Sequence, residues 1–161
     1  DYRLLQGDAR EVGELLAPES VDFCVSSPPY WDILRQRRTA DKREERHYGD
    51  RAANLGEIRE YDAFLAALRA VFEGLWRALR PGGYCCLVVM DLRKGARFYP
   101  LHQEVAHLME KVGFTYDDLI VWDRRAEYNN LRPLGYPCKF RINKVHEFIL
   151  IFEKIVADGT G

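Results

Sequence analysis

The stretch from Tyr61 to Asp91 limits the fold more than any other part of the chain. Phe64, Leu65, Leu68, Val71, Phe72, Leu75 and Leu79 recur on one face at helical spacing. Pro81-Gly82-Gly83 should stop that helix, and "YCCLVVMD" then reads as a strand buried on both sides. A long amphipathic helix, a Pro-Gly-Gly stop and an apolar strand make an α/β unit. The expected class is therefore α/β, a mostly parallel sheet flanked by helices.

The remaining text fits that frame. "YRLLQGD" reads as a short strand and turn, and "AREVGELLAPESV" carries Val12, Leu15 and Leu16 at helical spacing before Pro18. "VDFCVS" reads as a buried strand, and "PLHQEVAHLMEKVGF" as a second amphipathic helix with Gly113 as its stop. "DDLIVWD" and "HEFILIFEK" are further strands, separated by an irregular stretch. There is no internal repeat, low-complexity tract or domain-length linker. With 161 residues and 47% hydrophobic composition, the expectation is one domain over 1–161 with a single core.

Charge and cysteine usage narrow the function classes. Net charge is -1, so any nucleic-acid contact must come from a local patch rather than a global basic excess. Cys24, Cys85, Cys86 and Cys138 form no C-x-x-C pair, which suggests neither a zinc site nor a disulfide framework. A reducing cytoplasm is the expected location. No apolar run approaches the roughly eighteen residues of a membrane span, so no membrane is expected as partner. His102 and His107 are five apart on a helix, and His146-Glu147 lacks the second histidine of H-E-x-x-H. No metal is expected.

The chemistry concentrates after the "VDFCVS" strand, where Ser26, Ser27, Pro28, Pro29, Tyr30 and Trp31 follow in one run. Working loops of open α/β sheets lie at the carboxyl ends of strands, and Asp8 and Asp91 occupy the same kind of place. Two prolines end sheet pairing and remove two N–H donors. What remains is carbonyl oxygens, a Ser27 hydroxyl and the flat ring of Tyr30. Such an acceptor-rich pocket suits a planar ring bearing an amino group, with stacking worth about 1–3 kcal/mol. Acceptors fixed in advance would favour the tetrahedral nitrogen that such an amine needs in order to attack. Trp31 reads equally well as core or as substrate contact.

"SSPPYW" after an apolar strand resembles the (Ser/Asp)-Pro-Pro-(Tyr/Phe/Trp) motif of DNA amino-methyltransferases. "LLQGDAREV", "LRPGGYCCLVVMD", "GFTYDDLIVW" and "HEFILIFEK" fall in the order of the permuted, beta-type branch, so the resemblance spans roughly residues 3 to 154. It implies a Rossmann-like methyltransferase fold, partial at its C-terminal side, and S-adenosylmethionine as cofactor. Ser27 and the Pro28 carbonyl would hold the target amino group, Pro29 would shape the turn, and Tyr30 would stack on the base. Asp8 and Ala9, in the segment matching the family's "GDA", would lie near the cofactor, with Ser26 and Asp91 lining the same cleft.

Serine at the motif's first position is more typical of members acting on cytosine N(4), and aspartate of members acting on adenine N(6). The resemblance thus implies site-specific methylation of cytosine in double-stranded DNA, as in restriction-modification, with adenine as the alternative. It also implies a base flipped out of the duplex at a cost of a few kcal/mol. Arginines and lysines between Arg35 and Arg51, and Arg124, Arg125, Arg132, Lys139, Arg141 and Lys144, are the candidate phosphate contacts. The family's glycine-rich cofactor turn is not found. A complementary C-terminal segment or a second copy is the implied partner, and a non-catalytic nucleic-acid-binding half is the other reading. RNA as substrate of the same chemistry is a third. Pro137-Cys138 lacks the partners of a cytosine-C5 nucleophile and reads as a structural or surface cysteine.

Overall fold

The computed structural model describes residues 2–32, 54–127, 131, 133–135 and 137–155. The chain runs through a 3-10 turn at Ala9–Glu11, α1 (Val12–Leu15), β1 (Val21–Ser26), α2 (Tyr61–Ala78), β2 (Leu79–Val89), β3 (Leu92–Lys94), β4 (Arg97–Tyr99), α3 (Leu101–Val112), β5 (Thr115–Asp123), β6 (Pro133–Leu134), β7 (Arg141–Ile142) and β8 (His146–Glu153). β1, β2, β8 and β5 form a four-stranded sheet in that order. β1 and β2 are parallel, and β8 is antiparallel to both β2 and β5. Three of the four strands therefore run one way, as the α/β expectation requires. The fourth is wedged between two of them and reversed.

The two long helices form as the apolar spacing predicts. Phe64, Leu68, Phe72 and Leu75 of α2, with Leu101, Val105 and Met109 of α3, pack against Leu87, Val89, Leu150 and Phe152 of the sheet. α3 closes on Gly113 at φ 125°, whose N–H reaches the carbonyls of Met109 and Glu110. The Pro-Gly-Gly stop behaves differently from its reading. α2 already ends at Ala78, and Pro81-Gly82-Gly83 lies within β2 as a bulge, the register jumping from Val21↔Leu79 to Phe23↔Tyr84. Gly82 takes φ 72°, and hydrogen bonds between this bulge and Lys154 carry the pairing through.

Two further findings correct the sequence reading. "YRLLQGD" forms no strand: residues 2–6 join no ladder, and Tyr2 and Leu4 are about nine-tenths exposed. β1 is the edge of the sheet, so among the described residues no neighbour lies beyond it. The stretch "LRKGARFY", which carries no strong periodicity, makes the β3–β4 hairpin, with Gly95 at φ 59° in its turn.

The helices cover one face of the sheet. On the other, the strand registers align Val25, Cys86 and Ile151, then Val88, Ile149 and Ile120, then Glu147 and Trp122. Phe23, Val25, Ile120 and Trp122 are 40–64% exposed there. An α/β sheet normally buries both faces.

Candidate functional site

Because β8 runs against its neighbours, its first residues lie at the carboxyl ends of β1, β2 and β5. Four segments thus converge on one edge of the sheet: 27–32 after β1, Asp91 after β2, Arg124 after β5, and His146–Phe148 at the start of β8. The stiff turn after β1 is held at both its ends. Pro28 is buried, Pro29 and Tyr30 are half-buried, and Ser27 is exposed. Trp31, in the left-handed region at φ 51°, turns its ring into the core against Tyr61 and Tyr99, at centroid separations of 4.9 and 5.1 Å. The ring of Trp31 therefore packs rather than lining an open surface. Lys94 from the hairpin sits 4.0 Å over that ring and pairs with buried Asp32 at 2.5 Å.

Ser27 and Tyr30 are joined directly, Ser27 Oγ lying 3.1 Å from the Tyr30 hydroxyl. That hydroxyl in turn donates to Glu147 Oε2 at 3.1 Å. Glu147 is 3% exposed, and its other oxygen accepts from Arg124. Arg124 also pairs with Glu127 and lies over the Trp122 ring. A buried carboxylate is costly unless paired and hydrogen-bonded, and here it is both. Two residues that the sequence reading did not assign to the turn, Glu147 and Arg124, thus hold its phenol in place. The signal was present in "HEFILIFEK", where an acid occupies a strand position flanked by apolar neighbours.

Of the cofactor-binding candidates, Asp8 and Asp91 are held by neighbouring residues. Asp8 caps the 3-10 turn: its Oδ1 accepts from the N–H and Nε of Arg10, and its Oδ2 from Nε and Nη2. The Arg10 hydrogen bonds hold the Asp8 carboxyl down to about 2. Ala9 lies in the same turn, and Ser26, the last residue of β1, is exposed. Asp91 is buried, its Oδ1 accepting the His102 backbone N–H at 3.2 Å and lying 2.6 Å from His102 Nδ1. His102 stacks on Phe148 at 4.1 Å, and Lys144 Nζ is 3.6 Å from Asp91. Burial pushes the Lys144 ammonium down, with Asp91 opposing. Asp8 thus accepts from three Arg10 donors, and Asp91 Oδ1 is engaged by His102.

Of the candidate phosphate contacts, those at 35–51 and Arg132 lie outside the described residues. Arg124 is tied to carboxylates as above, and Arg125 pairs with Asp123 at 2.6 Å. Arg141 donates to the Gly95 carbonyl at 3.3 Å, and Lys139 and Cys138 are exposed. Cys85 is fully buried and Cys86 half-buried, on opposite faces of β2. Among the described residues no helix is long and apolar enough to cross a membrane.

A sheet whose strand ends carry the active loops, with a Pro-Pro-aromatic turn after β1, has the architecture of Rossmann-like methyltransferases. A family model described as DNA methylase, covering the N6 and N4 amino-methylases, matches residues 21–156, and the chain belongs to that family. It is 28% identical to the Type II methyltransferase M.MjaI of Methanocaldococcus jannaschii, over 96% of this chain and 56% of that protein. A Thermus thermophilus protein described as a DNA modification methylase, solved with S-adenosyl-L-methionine, superposes with a TM-score of 0.66 at 29% identity, over 96% of this chain and 56% of that one. The cytosine-N4-specific PvuII DNA methyltransferase shares the fold, at TM-score 0.58 and 18% identity over 92% of this chain and 47% of that one. The chain spans about half the length of the relatives it matches.

Proposed function

We propose that this chain supplies the base-holding half of a DNA amino-methyltransferase that uses S-adenosylmethionine, with the exocyclic N(4) of a flipped-out cytosine as target. The observation that carries the reading is the turn itself, in which exposed Ser27 is hydrogen-bonded to a Tyr30 whose phenol is fixed from below by a buried acid. Ser27 Oγ and the carbonyls of the donor-free Pro-Pro pair accept the amino protons, and the Tyr30 ring is the stacking wall. Fixed acceptors stabilise the developing tetrahedral nitrogen without reorganising during the reaction. S-adenosylmethionine would supply the methyl group. Serine rather than aspartate ahead of the prolines favours cytosine over adenine N(6).

A second reading has this chain acting only with a complementary segment, and two observations favour it. The outer edge of β1 and the sheet face bearing Phe23 and Val25 have no cover among the described residues, and the matched relatives are nearly twice as long. The glycine-rich cofactor turn would then come from that segment. Labelled methyl transfer to duplex DNA tests both readings. Transfer should vanish in Tyr30→Ala and Ser27→Ala, and unchanged transfer in either would reject the pocket. Transfer restored only when a complementary segment is added would favour the split form. A product carrying N(6)-methyladenine would replace cytosine as the target.

A further inference from the structure

We infer that Glu147 is a positioning residue that sets the direction of the Ser27 hydroxyl, making that oxygen an acceptor for the target amino group. The inference rests on the function proposed above and concerns a residue far along the chain from the turn. A phenol has one proton, and an ionised carboxylate only accepts. Glu147 is paired with the Arg124 guanidinium through Oε1, so its Oε2 receives the Tyr30 proton. The Tyr30 oxygen is then left to accept, and the Ser27 hydroxyl, 3.1 Å away, donates to it. The chain of donation runs one way, from Ser27 to Tyr30 to Glu147. Its consequence lies at the exposed end: the Ser27 proton points inward and the lone pairs point out. An amino group, which only donates, meets an acceptor there.

Glutamine at position 147 reverses the chain without changing its length. Arg124 demands an acceptor, so the glutamine carbonyl must face the guanidinium and its NH2 must face Tyr30. Tyr30 then accepts from the amide, donates to Ser27, and leaves the Ser27 proton pointing at the amino group. Donor meets donor. Donor facing donor should lower kcat roughly ten- to a hundredfold, equivalent to about 1.4–2.7 kcal/mol, within the range of an unmade polar contact.

Two measurements test this separately from the function itself. In the chain labelled at tyrosine Cζ, with the Tyr30 resonance assigned from Tyr30→Phe, donation to a carboxylate gives a downfield carbon. Glu147→Gln should move it upfield, and an unmoved resonance in folded Glu147→Gln overturns the inference whether or not the chain transfers methyl groups. In the methyl-transfer assay, Glu147→Gln and Tyr30→Phe should each lower kcat about ten- to a hundredfold with KM for the methyl donor little changed, and the double variant should be no slower than either. Single variants within twofold of wild type, or losses that multiply, overturn it. Should Glu147→Gln fail to fold, Tyr30→Phe keeps the Glu147–Arg124 pair and the ring, and wild-type rates in it are equally decisive. Absence of transfer in the wild-type protein with a complementary segment would reject the function and leave the resonance to judge the proton direction.

Discussion

Replacing Gly74 with alanine sets two opposed effects against each other at the contact that seats the Asp8 segment on the core. Gly74 lies inside α2, where alanine is favoured over glycine by about 1 kcal/mol when nothing is nearby. A Cβ at position 74, however, would stand 2.8 Å from the Gly13 nitrogen and 2.8 Å from Val12 Cγ1, and one at Gly13 would stand 2.9 Å from the Gly74 Cα. The two backbones touch, and Arg77 clamps the pair by donating to the Gly13 carbonyl. Restoring an ordinary 3.4 Å contact means moving α1 by about 0.6 Å, with the turn that carries Asp8 and Ala9 attached to it. Overpacking of this kind costs about 1–3 kcal/mol, so a net loss of about 1 kcal/mol is expected after the helix gain. Urea unfolding gives the net figure, and amide hydrogen exchange should show residues 9–15 opening faster while α3 is unchanged. A Gly74→Ala protein about 1 kcal/mol more stable than wild type, with unaltered exchange over 9–15, would refute the close contact.

Two pH dependences follow from groups whose surroundings are fixed. The Tyr61 phenol is raised well above its ordinary value near 10, first by burial and then by Glu104, to which it donates. The unfolded chain loses that proton first, so stability should fall as pH climbs past 10, and Tyr61→Phe should flatten the alkaline limb of a denaturation profile while costing about 1–2 kcal/mol at pH 7. An unchanged slope in the variant would count against the half-buried, Glu104-bonded phenol. At the acid end, Asp8 is held down to about 2 by the Arg10 hydrogen bonds, so its contribution is complete above the ordinary carboxylate range and is lost as pH falls toward 2. Asp8→Asn should remove that part of the acid transition, and an identical acid limb would show that the pair is not formed.

The elements that periodicity could reveal are those that bury one face against the sheet. α2 and α3 carry apolar stripes because they cover Leu87, Val89, Leu150 and Phe152, and β1, β5 and β8 are apolar runs long enough to stand out. What escaped the sequence was set by partners rather than by pattern. β3 and β4 are three residues each and rich in charge, so "LRKGARFY" resembles a loop until Leu92 and Tyr99 are seen paired and buried. Pro81-Gly82-Gly83 is a plausible stop in isolation, but hydrogen bonds to Lys154 draw it into the ladder. Residues 2–6 have the composition of a strand yet join no ladder among the described residues, which composition alone does not register.

The candidate site shows the same division, and the reversed strand explains it. The turn from Ser27 to Tyr30 was legible because prolines and aromatics after a strand are locally unusual. Glu147 was not, since 117 residues separate it from Tyr30 and its dipeptide with His146 reads only as an incomplete metal motif. A parallel β8 would have carried His146–Phe148 to the opposite edge of the sheet, away from both the turn and Asp91. Antiparallel insertion between β2 and β5 brings them to the carboxyl ends, and strand alternation then splits them. Glu147 reaches Tyr30 and Arg124 from the open face, while Phe148, one residue on, meets His102 beneath Asp91. One strand start thus supports two of the loops at this edge, so a register slip of β8 by a single residue would exchange the buried acid for an aromatic and dismantle both supports together.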